Sequence, residues 1–317
     1  MHELTNLNSV ATAQGVGARL RPIEKIAPRD VLRLLRAHQW TKNILLFLPA
    51  VLAHRIFDAE VFGQCAIAFV AFSLCASATY LFNDVIDVER DRNHPEKRLR
   101  PLASGKVSVR VAQALIPVLV ISALLGAYYL LPLTFFFIVG AYCLSTLAYS
   151  LFLNTEPIID VLLLTCFYVI RLLAGGAACA VELSPWFLTF CFFFFLGLAF
   201  LKRFVELERC SREENFKANR AGYLASDRWM LQATGIAAGL ISIVIFCLYL
   251  NSPAVLKLYG HSLWMWGICP ALTYWICHIW FLAQRGKVNT DPVIFALKDK
   301  SSLATALFLA LLIWLAS

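Results

Sequence analysis

Charged residues are scarce in this sequence of 317 residues, and their scarcity excludes an ordinary soluble domain. Asp, Glu, Lys and Arg make up 15% of the chain, whereas they make up about a quarter of a typical soluble domain. Apolar residues reach 60%, and they include 24 Phe and 8 Trp. This length and composition fit one bundle of about eight or nine membrane spans, each with about 20 apolar residues.

Several short motifs are also missing, and each absence removes a class of protein. The ten cysteines include no Cys-x-x-Cys pair, so neither a zinc site nor a disulfide framework is indicated. The chain does not begin with a basic segment, an apolar core and a cleavage site, so residues 1–32 are predicted to form a polar cytosolic tail. The alternating pattern of a membrane barrel is absent as well, which predicts helical spans.

Long apolar segments dominate the rest of the chain. They predict an all-α polytopic membrane domain over residues 33–317, with about nine transmembrane helices. The first segment is short and contains Pro49, which predicts a kinked or incomplete helix. The nine segments cover residues 43–57, 61–82, 111–131, 134–153, 157–180, 185–201, 229–250, 262–283 and 301–317.

The positive charges are distributed unevenly between the two faces of this bundle. With nine spans, 25 of the 28 Lys and Arg residues lie in the N-terminal tail, in the connections on that same side, or next to them. Such an excess marks the cytoplasmic side of a bacterial inner-membrane protein. The net charge of +8 therefore reflects topology, and we expect a lipid bilayer but no nucleic acid as a partner.

One charge-rich stretch, residues 83–105, follows the second apolar segment. If the helix continues, Asp84, Asp87 and Asp91 lie three and four residues apart on one face. Such carboxylates could hold Mg²⁺, and substrate phosphates would complete the octahedral coordination of the ion. Basic residues that could contact phosphate oxygens follow at Lys97, Arg98 and Arg100. The same charges also fit a solvated helix with salt bridges between neighbouring turns.

The order of these residues resembles a known motif. NDVIDVERD, residues 83–91, followed by RLRPLASG, residues 98–105, is similar to the first aspartate motif of the UbiA superfamily of intramembrane prenyltransferases. The resemblance implies a helical bundle with a diphosphate site on its cytosolic side. It also implies that Asp84, Asp87 and Asp91 are catalytic Mg²⁺ ligands and that Asn83 binds substrate.

Other segments resemble one branch of that superfamily, the decaprenyl-phosphate phosphoribosyltransferases. Most superfamily members carry a second aspartate pair after the sixth span, whereas this chain has KRFVEL at residues 202–207, similar to the KRxxEL pattern of the branch. LRAHQWTKN at residues 35–43, RLLAGG at residues 171–176 and DPVIFALKD at residues 291–299 resemble the branch as well. Together with the bases above, the implied substrate-binding residues are Lys42, Asp160, Arg171, Lys202, Arg203, Glu206 and Lys298.

Some of these residues have structural explanations too. Arg171 lies deep in an apolar helix, where a charge must face the bundle interior and be paired. Arg171 either binds the lipid phosphate or completes a polar network in the core. It lies about 16 Å along the helix from Asp160, which is too far for the two side chains to pair. Residues 202 and 203 lie four and three positions before Glu206, so they form either a phosphate clamp or simple helix salt bridges. Lys298 fits a solvated connection equally well.

The resemblance implies that phosphoribosyl diphosphate (PRPP) donates 5-phosphoribose to a polyprenyl (decaprenyl) phosphate and releases diphosphate. An ionised phosphate nucleophile needs no dedicated base, which agrees with the lack of a Ser-His-Asp or Cys-His set. The product of this branch leads to a lipid-linked D-arabinose donor for envelope glycans or for a secreted glycolipid such as the Nod factor of nodulation.

Two alternatives remain at this point. A UbiA-type prenyltransferase would move a prenyl group from its diphosphate to an aromatic or porphyrin acceptor, using the same first motif. A membrane transporter is the second alternative, but its charges would lie near the midplane rather than at one surface. Homo-oligomers are common among membrane enzymes, although no interface motif indicates one here.

Overall fold

In the computed structural model the described residues form helices joined by turns and short connections, with no strand among them. These are residues 28–95, 97–153, 155–212, 222–253, 255, 259–288 and 291–316, so most of the predicted tail, residues 1–27, lies outside them. The predicted all-α fold is confirmed over these ranges. The α-helices are α1 (Pro28–Leu34), α2 (Leu48–Leu52), α3 (Ala59–Ile86), α4 (Val88–Arg92), α5 (Val109–Leu130), α6 (Leu133–Ala148), α7 (Pro157–Ala178), α8 (Pro185–Arg212), α9 (Arg228–Leu250), α10 (Ile268–Gln284), α11 (Pro292–Ala296) and α12 (Lys300–Ala316).

Within the described residues, seven helices are long and apolar enough to cross a membrane. They contain α3 and α5 to α10, which correspond to the second to eighth predicted segments. Many of their apolar side chains face outward; Leu144 and Val118, for example, are 71% and 57% exposed. Lipid tails are as apolar as leucine, so these exposed side chains can face the lipid without loss of stability. The chain is therefore an integral membrane protein.

The predicted count of nine spans is not confirmed, because the first and last segments are shorter than the others. The first folds as a 3-10 helix over Ala37–Phe47 that continues into α2 and ends at Leu52, and α12 has 17 residues. A 3-10 helix rises about 2.0 Å per residue and an α-helix about 1.5 Å, so the first segment still extends about 30 Å. His54 then takes a left-handed conformation, with φ 57°, where the chain turns back toward α3.

Glycines allow α8 and α9 to pack closely. A Cβ atom on Gly197 of α8 would lie 3.0 Å from the carbonyl oxygen of Gly235 and 3.2 Å from the amide nitrogen of Gly239, both in α9. Gly235 and Gly239 form a Gly-x-x-x-Gly pair, which lets membrane helices approach one another. This packing fixes the C-terminal half of α8, which carries Lys202 and Arg203.

The two largest buried apolar clusters hold most of the bundle together. One surrounds α8, α9 and α10 and includes Phe204 and Trp280, and the other surrounds α3, α6 and α7 and includes Phe72 and Phe135. The 3-10 helix packs against α7 at Gly175, where the two backbones come very close. The candidate site lies between these two clusters.

Replacement of Gly175 by alanine should destabilise the bundle. The added Cβ would lie 2.2 Å from the backbone carbonyl oxygen of Leu46, which cannot rotate away. We expect the Gly175→Ala variant to lose about 1–3 kcal/mol of unfolding free energy, the usual cost of overpacking, measured by thermal unfolding in detergent micelles. Gly140→Ala is the matched control, because a Cβ there meets nothing within 4 Å. Equal melting temperatures for the two variants would contradict the close contact between α7 and the 3-10 helix.

Candidate active site

Two buried carboxylates meet at the C-terminal end of α3. Asp84 and Asp91 are 5% and 3% exposed. Nη1 of Arg100 donates to both, at 3.0 Å to Asp84 Oδ1 and 2.5 Å to Asp91 Oδ2. Nη2 of Arg36 also donates to Asp84 Oδ1. Each carboxylate therefore has a guanidinium partner, as its burial requires.

The backbone near Asp87 explains why these carboxylates converge. α3 ends at Ile86 and α4 begins at Val88, yet the amide of Asp87 donates to Asn83 O at 2.9 Å and that of Asp91 donates to Asp87 O at 2.8 Å. The helical path thus continues through the junction, and Asp84 and Asp91 lie two turns apart on the same side, as their spacing predicts. The side chain of Asp87 is half-buried.

The donor chemistry of this cluster fits a hard divalent cation. Asp84 and Asp91 place carboxylate oxygens on either side of one positively charged nitrogen of Arg100, and oxygen is the ligand that Mg²⁺ prefers. In the described ranges, no three His, Cys, Asp or Glu side chains stand together as a ready-made ligand set. The metal role of Asp84, Asp87 and Asp91 therefore stays a prediction.

Arg36 belongs to this cluster but was not among the residues selected from the sequence. Its backbone is left-handed, with φ 50° and ψ 45°, a conformation that is costly for a residue other than glycine. Its guanidinium carbon lies 5.2 Å from the ring centroid of Tyr80, over the ring. The only signal was its place within the LRAHQWTKN stretch.

A cavity lies next to the carboxylate cluster, and α3, α6, α7 and α8 form most of its walls. Asn83, which precedes Asp84, is part of the wall. Three cationic side chains that were predicted to bind substrate line this cavity: Lys42, Arg171 and Lys202. Hydroxyl groups line it as well, among them Tyr149 and Ser150 from a π-helical turn that follows α6. The excess of positive charge suits an anionic ligand.

Asp291 faces the same cavity. It is not among the residues predicted to bind substrate, and only the family resemblance of residues 291–299 pointed to it. Its Oδ2 accepts from Lys42 Nζ at 3.0 Å, and its Oδ1 accepts from the amide of Val293 at 3.1 Å as the N-cap of α11. Burial alone would raise the pKa of Asp291, but the positive charges of Lys42 and Lys202 and these hydrogen bonds outweigh it and lower the pKa. Asp291 is therefore ionised at neutral pH.

Arg171 is buried in α7, at 5% exposure, and it both joins a polar network and lines the cavity. Its Nε donates to Asn43 Oδ1 at 2.9 Å, and its Nη2 donates to the hydroxyl of Tyr142 at 3.0 Å. Its guanidinium carbon also lies 5.1 to 5.9 Å from the ring centroids of Phe72, Tyr142 and Tyr168. No carboxylate forms a salt bridge with it among the described residues, so all these partners are neutral.

Asp160 and Arg203 form a buried ion pair behind the cavity wall. Arg203 Nε lies 2.5 Å from Asp160 Oδ2, and Arg203 Nη2 lies 2.5 Å from Oδ1. The hydroxyl of Tyr149 donates to Asp160 Oδ1 at 2.6 Å, so the pair holds this side chain at the cavity. Arg203 also donates to Glu206, the helix salt bridge that the sequence spacing allowed. Neither member of the ion pair is part of the cavity wall.

Three other predicted residues lie away from the cavity wall. Lys97 is half-buried in the turn that leads to Arg100, whereas Arg98 is exposed. Lys298 is exposed in the connection between α11 and α12. Their substrate-binding roles stay predictions.

The chain is similar to a known protein family and to several known proteins. Residues 44–298 match the model of the UbiA prenyltransferase family. The chain is 36% identical over 291 residues to the uncharacterised protein y4nM of Sinorhizobium fredii, which covers 91% of this chain and 56% of that protein. The match thus spans little more than half of the y4nM protein. A UbiA homologue from Archaeoglobus fulgidus, solved with DMAPP and Mg²⁺, superposes with a TM-score of 0.67 over 90% of this chain and 96% of that one, at 16% identity.

Two further relatives carry functional names. The decaprenyl-phosphate phosphoribosyltransferase of Mycobacterium tuberculosis is 36% identical over 215 residues, or 65% of this chain and 70% of that protein. Nodulation protein NoeC of Azorhizobium caulinodans is 31% identical over 278 residues, or 87% of this chain and 89% of that protein. The predicted family resemblance is confirmed.

Removal of the Asp160 charge should destabilise the protein far more than removal of the Glu206 charge. Asp160 is fully buried, so Asp160→Asn leaves Arg203 as a buried charge with a weaker partner, which typically costs about 3–5 kcal/mol. The side chain of Glu206 is 44% exposed, and Glu206→Gln should cost about 1 kcal/mol or less. Thermal unfolding of both variants measures the difference. Similar losses would show that Asp160 is not the principal partner of Arg203.

Proposed function

Since the chain belongs to the UbiA prenyltransferase family, we propose that it transfers 5-phosphoribose from PRPP to a polyprenyl phosphate and releases diphosphate. The similarity to decaprenyl-phosphate phosphoribosyltransferases supports a transferase that acts on a polyprenyl phosphate. The positive charges of the cavity support PRPP as the donor.

The observation that carries the proposal is the set of three cations that line one cavity. Lys42, Lys202 and Arg171 line it, beside a separate carboxylate cluster suited to a metal-bound diphosphate. A prenyl donor has a single diphosphate, which that cluster would take. PRPP brings an additional 5-phosphate, and the acceptor brings a phosphate of its own. The cations give those extra anionic groups binding partners.

The residues that would hold a magnesium ion are Asp84, Asp87 and Asp91. When bound, the ion supplies positive charge that stabilises the leaving diphosphate. The Mg²⁺ in the Archaeoglobus fulgidus homologue supports the use of a divalent metal. Arg36 and Arg100 already neutralise Asp84 and Asp91, so these two arginines are placed to contact phosphate oxygens at the same corner.

The reaction depends on the neutralisation of negative charge more than on proton transfer. An oxygen of the lipid phosphate forms a bond to C1 of the ribose while the bond from C1 to the diphosphate oxygen breaks, and that electron pair leaves with diphosphate. The second pKa of a phosphate monoester is about 6, so the nucleophile is already ionised at neutral pH. The chain must therefore overcome repulsion between two anions, which Lys42, Lys202 and Arg171 reduce.

The cellular setting follows from the same chemistry. The basic face of the bundle would lie in the cytosol of a bacterial inner membrane, where PRPP is soluble and a lipid phosphate is within reach. The product would lead to a D-arabinose donor for envelope glycans or for a secreted glycolipid. The similarity to nodulation protein NoeC supports the second fate, that of Nod factor.

Labelled substrates test the proposal directly. Membranes that contain the chain should transfer label from ribose-labelled PRPP into an acidic lipid, and only when decaprenyl phosphate and Mg²⁺ are both present. Membranes without the chain are the control. The alternative reaction is tested in parallel with a prenyl diphosphate and an aromatic acceptor. Transfer of the prenyl group without any transfer of phosphoribose would overturn the proposal.

Asp84→Asn should reduce turnover by about 100-fold or more, because it removes a proposed metal ligand without changing side-chain size. The matched control is Glu89→Gln, a few residues along the same acidic stretch, whose side chain is 83% exposed. Rates are measured against Mg²⁺ concentration, after chelation and after metal is restored. An Asp84→Asn variant with the wild-type rate and Mg²⁺ dependence would remove this residue from the metal site.

A further inference from the structure

Asp291 is an unusual residue for a cavity that binds phosphates. Among the described residues that line the cavity it is the only acidic one, and it lies beside Lys42. A carboxylate repels phosphate groups, so a cavity for phosphates alone gains nothing from a carboxylate exposed to the ligand. A ligand with hydrogen-bond donors would give it a use.

The carboxylate of Asp291 is held in place and still has acceptor capacity. Oδ1 accepts one hydrogen bond from the amide of Val293, and Oδ2 accepts one from Lys42. A carboxylate offers about four acceptor positions, so about one on each oxygen remains. The N-cap position before Pro292 orients the side chain, which lowers the cost of ordering it when a ligand binds.

We infer that Asp291 accepts hydrogen bonds from the 2- and 3-hydroxyls of the ribose in the phosphoribosyl donor. This inference rests on the proposed function. Ribose presents two adjacent hydroxyl donors, which match the two oxygens of one carboxylate, whereas a prenyl chain presents none. A prenyl donor would leave the partly buried carboxylate without a ligand partner. Asp291 thus selects a sugar donor over a prenyl donor.

The neighbours of Asp291 agree with this placement. Lys42 lies 3.0 Å from the carboxylate and lines the cavity, so it can contact a phosphate while Asp291 contacts the sugar. Lys202 also lies close enough to lower the pKa of Asp291. The ionised carboxylate accepts stronger hydrogen bonds than a neutral group. One side of the cavity can then bind both the hydroxyl and the phosphate groups of a single sugar phosphate.

A purely structural role is the competing explanation. Asp291 would then only cap α11 and orient Lys42. Both roles predict that loss of Asp291 weakens the binding of a sugar phosphate. They differ in one respect: only a direct contact makes the effect of the side chain depend on the sugar hydroxyls.

A double-mutant cycle between the protein and the sugar separates the two roles. Purified full-length protein in lipid nanodiscs is titrated with ribose 5-phosphate and with its 2-deoxy and 3-deoxy analogues, for the wild type and for Asp291→Asn. In the wild type we expect each deoxy sugar to bind about tenfold more weakly or worse, the typical effect of a lost hydrogen bond to a charged group. In Asp291→Asn, which keeps the N-cap, the difference should fall to about threefold or less.

Asp299→Asn is the matched control, because Asp299 also accepts from a backbone amide, that of Ser302 at 2.8 Å, but does not line the cavity. That variant should discriminate between the sugars as the wild type does. Wild-type protein that binds all three sugars equally would overturn the inference, even if Asp291→Asn failed to fold. An unchanged discrimination in Asp291→Asn would overturn it as well. If PRPP is turned over in the lipid assay but the cycle shows no coupling, only this inference fails; without PRPP turnover, the proposed function fails.

Discussion

Charge neutralisation between different helices is the constraint on which the site depends. A charge inside a membrane bundle costs several kcal/mol unless it has a partner of opposite charge. In this chain the partners come from other elements of the fold. Arg100 joins Asp84 and Asp91, Arg203 joins Asp160, and Lys42 joins Asp291. Each pair fixes one element against another: the turn after α4 against α3, α8 against α7, and the 3-10 helix against the N-terminus of α11. The ion pairs that make the charges tolerable also give the cavity its shape.

Two of the cations that line the cavity have no such pair, and they are informative for the same reason. Among the described residues, Arg171 contacts only neutral groups and aromatic rings, and no salt bridge to Lys202 is present. Both line the cavity. In a medium of low dielectric constant, their charge raises the local potential for an anion. On the proposed function, the phosphate groups of the substrates neutralise the charges of Arg171 and Lys202.

Much of the fold and part of the site could be predicted from the sequence. α3 and α5 to α10 are evident from apolar runs because a span must satisfy its own hydrogen bonds, and the shared face of Asp84 and Asp91 follows from helical spacing. The mixed helix at residues 37–52 was not predicted, since its length depends on a 3-10 rise that no local pattern encodes. The place of Asp291 at the cavity was not predicted, because its partner Lys42 lies 249 positions away. The contact of Arg36 with Asp84 likewise depends on tertiary packing.

The KRFVEL segment shows how one short motif divides its roles. Successive residues on an α-helix point about 100° apart, so Lys202 and Arg203 cannot both face the cavity. The structure turns Lys202 inward and Arg203 toward Asp160, with Glu206 on the side of Arg203. The lysine is thus available to a ligand, and the arginine stabilises the wall. Most superfamily members carry a second aspartate pair at this position, which would need a cation before it could bind an anion. On the proposed function, Lys202 contacts a phosphate directly, and this part of the cavity needs no second metal ion to bind it.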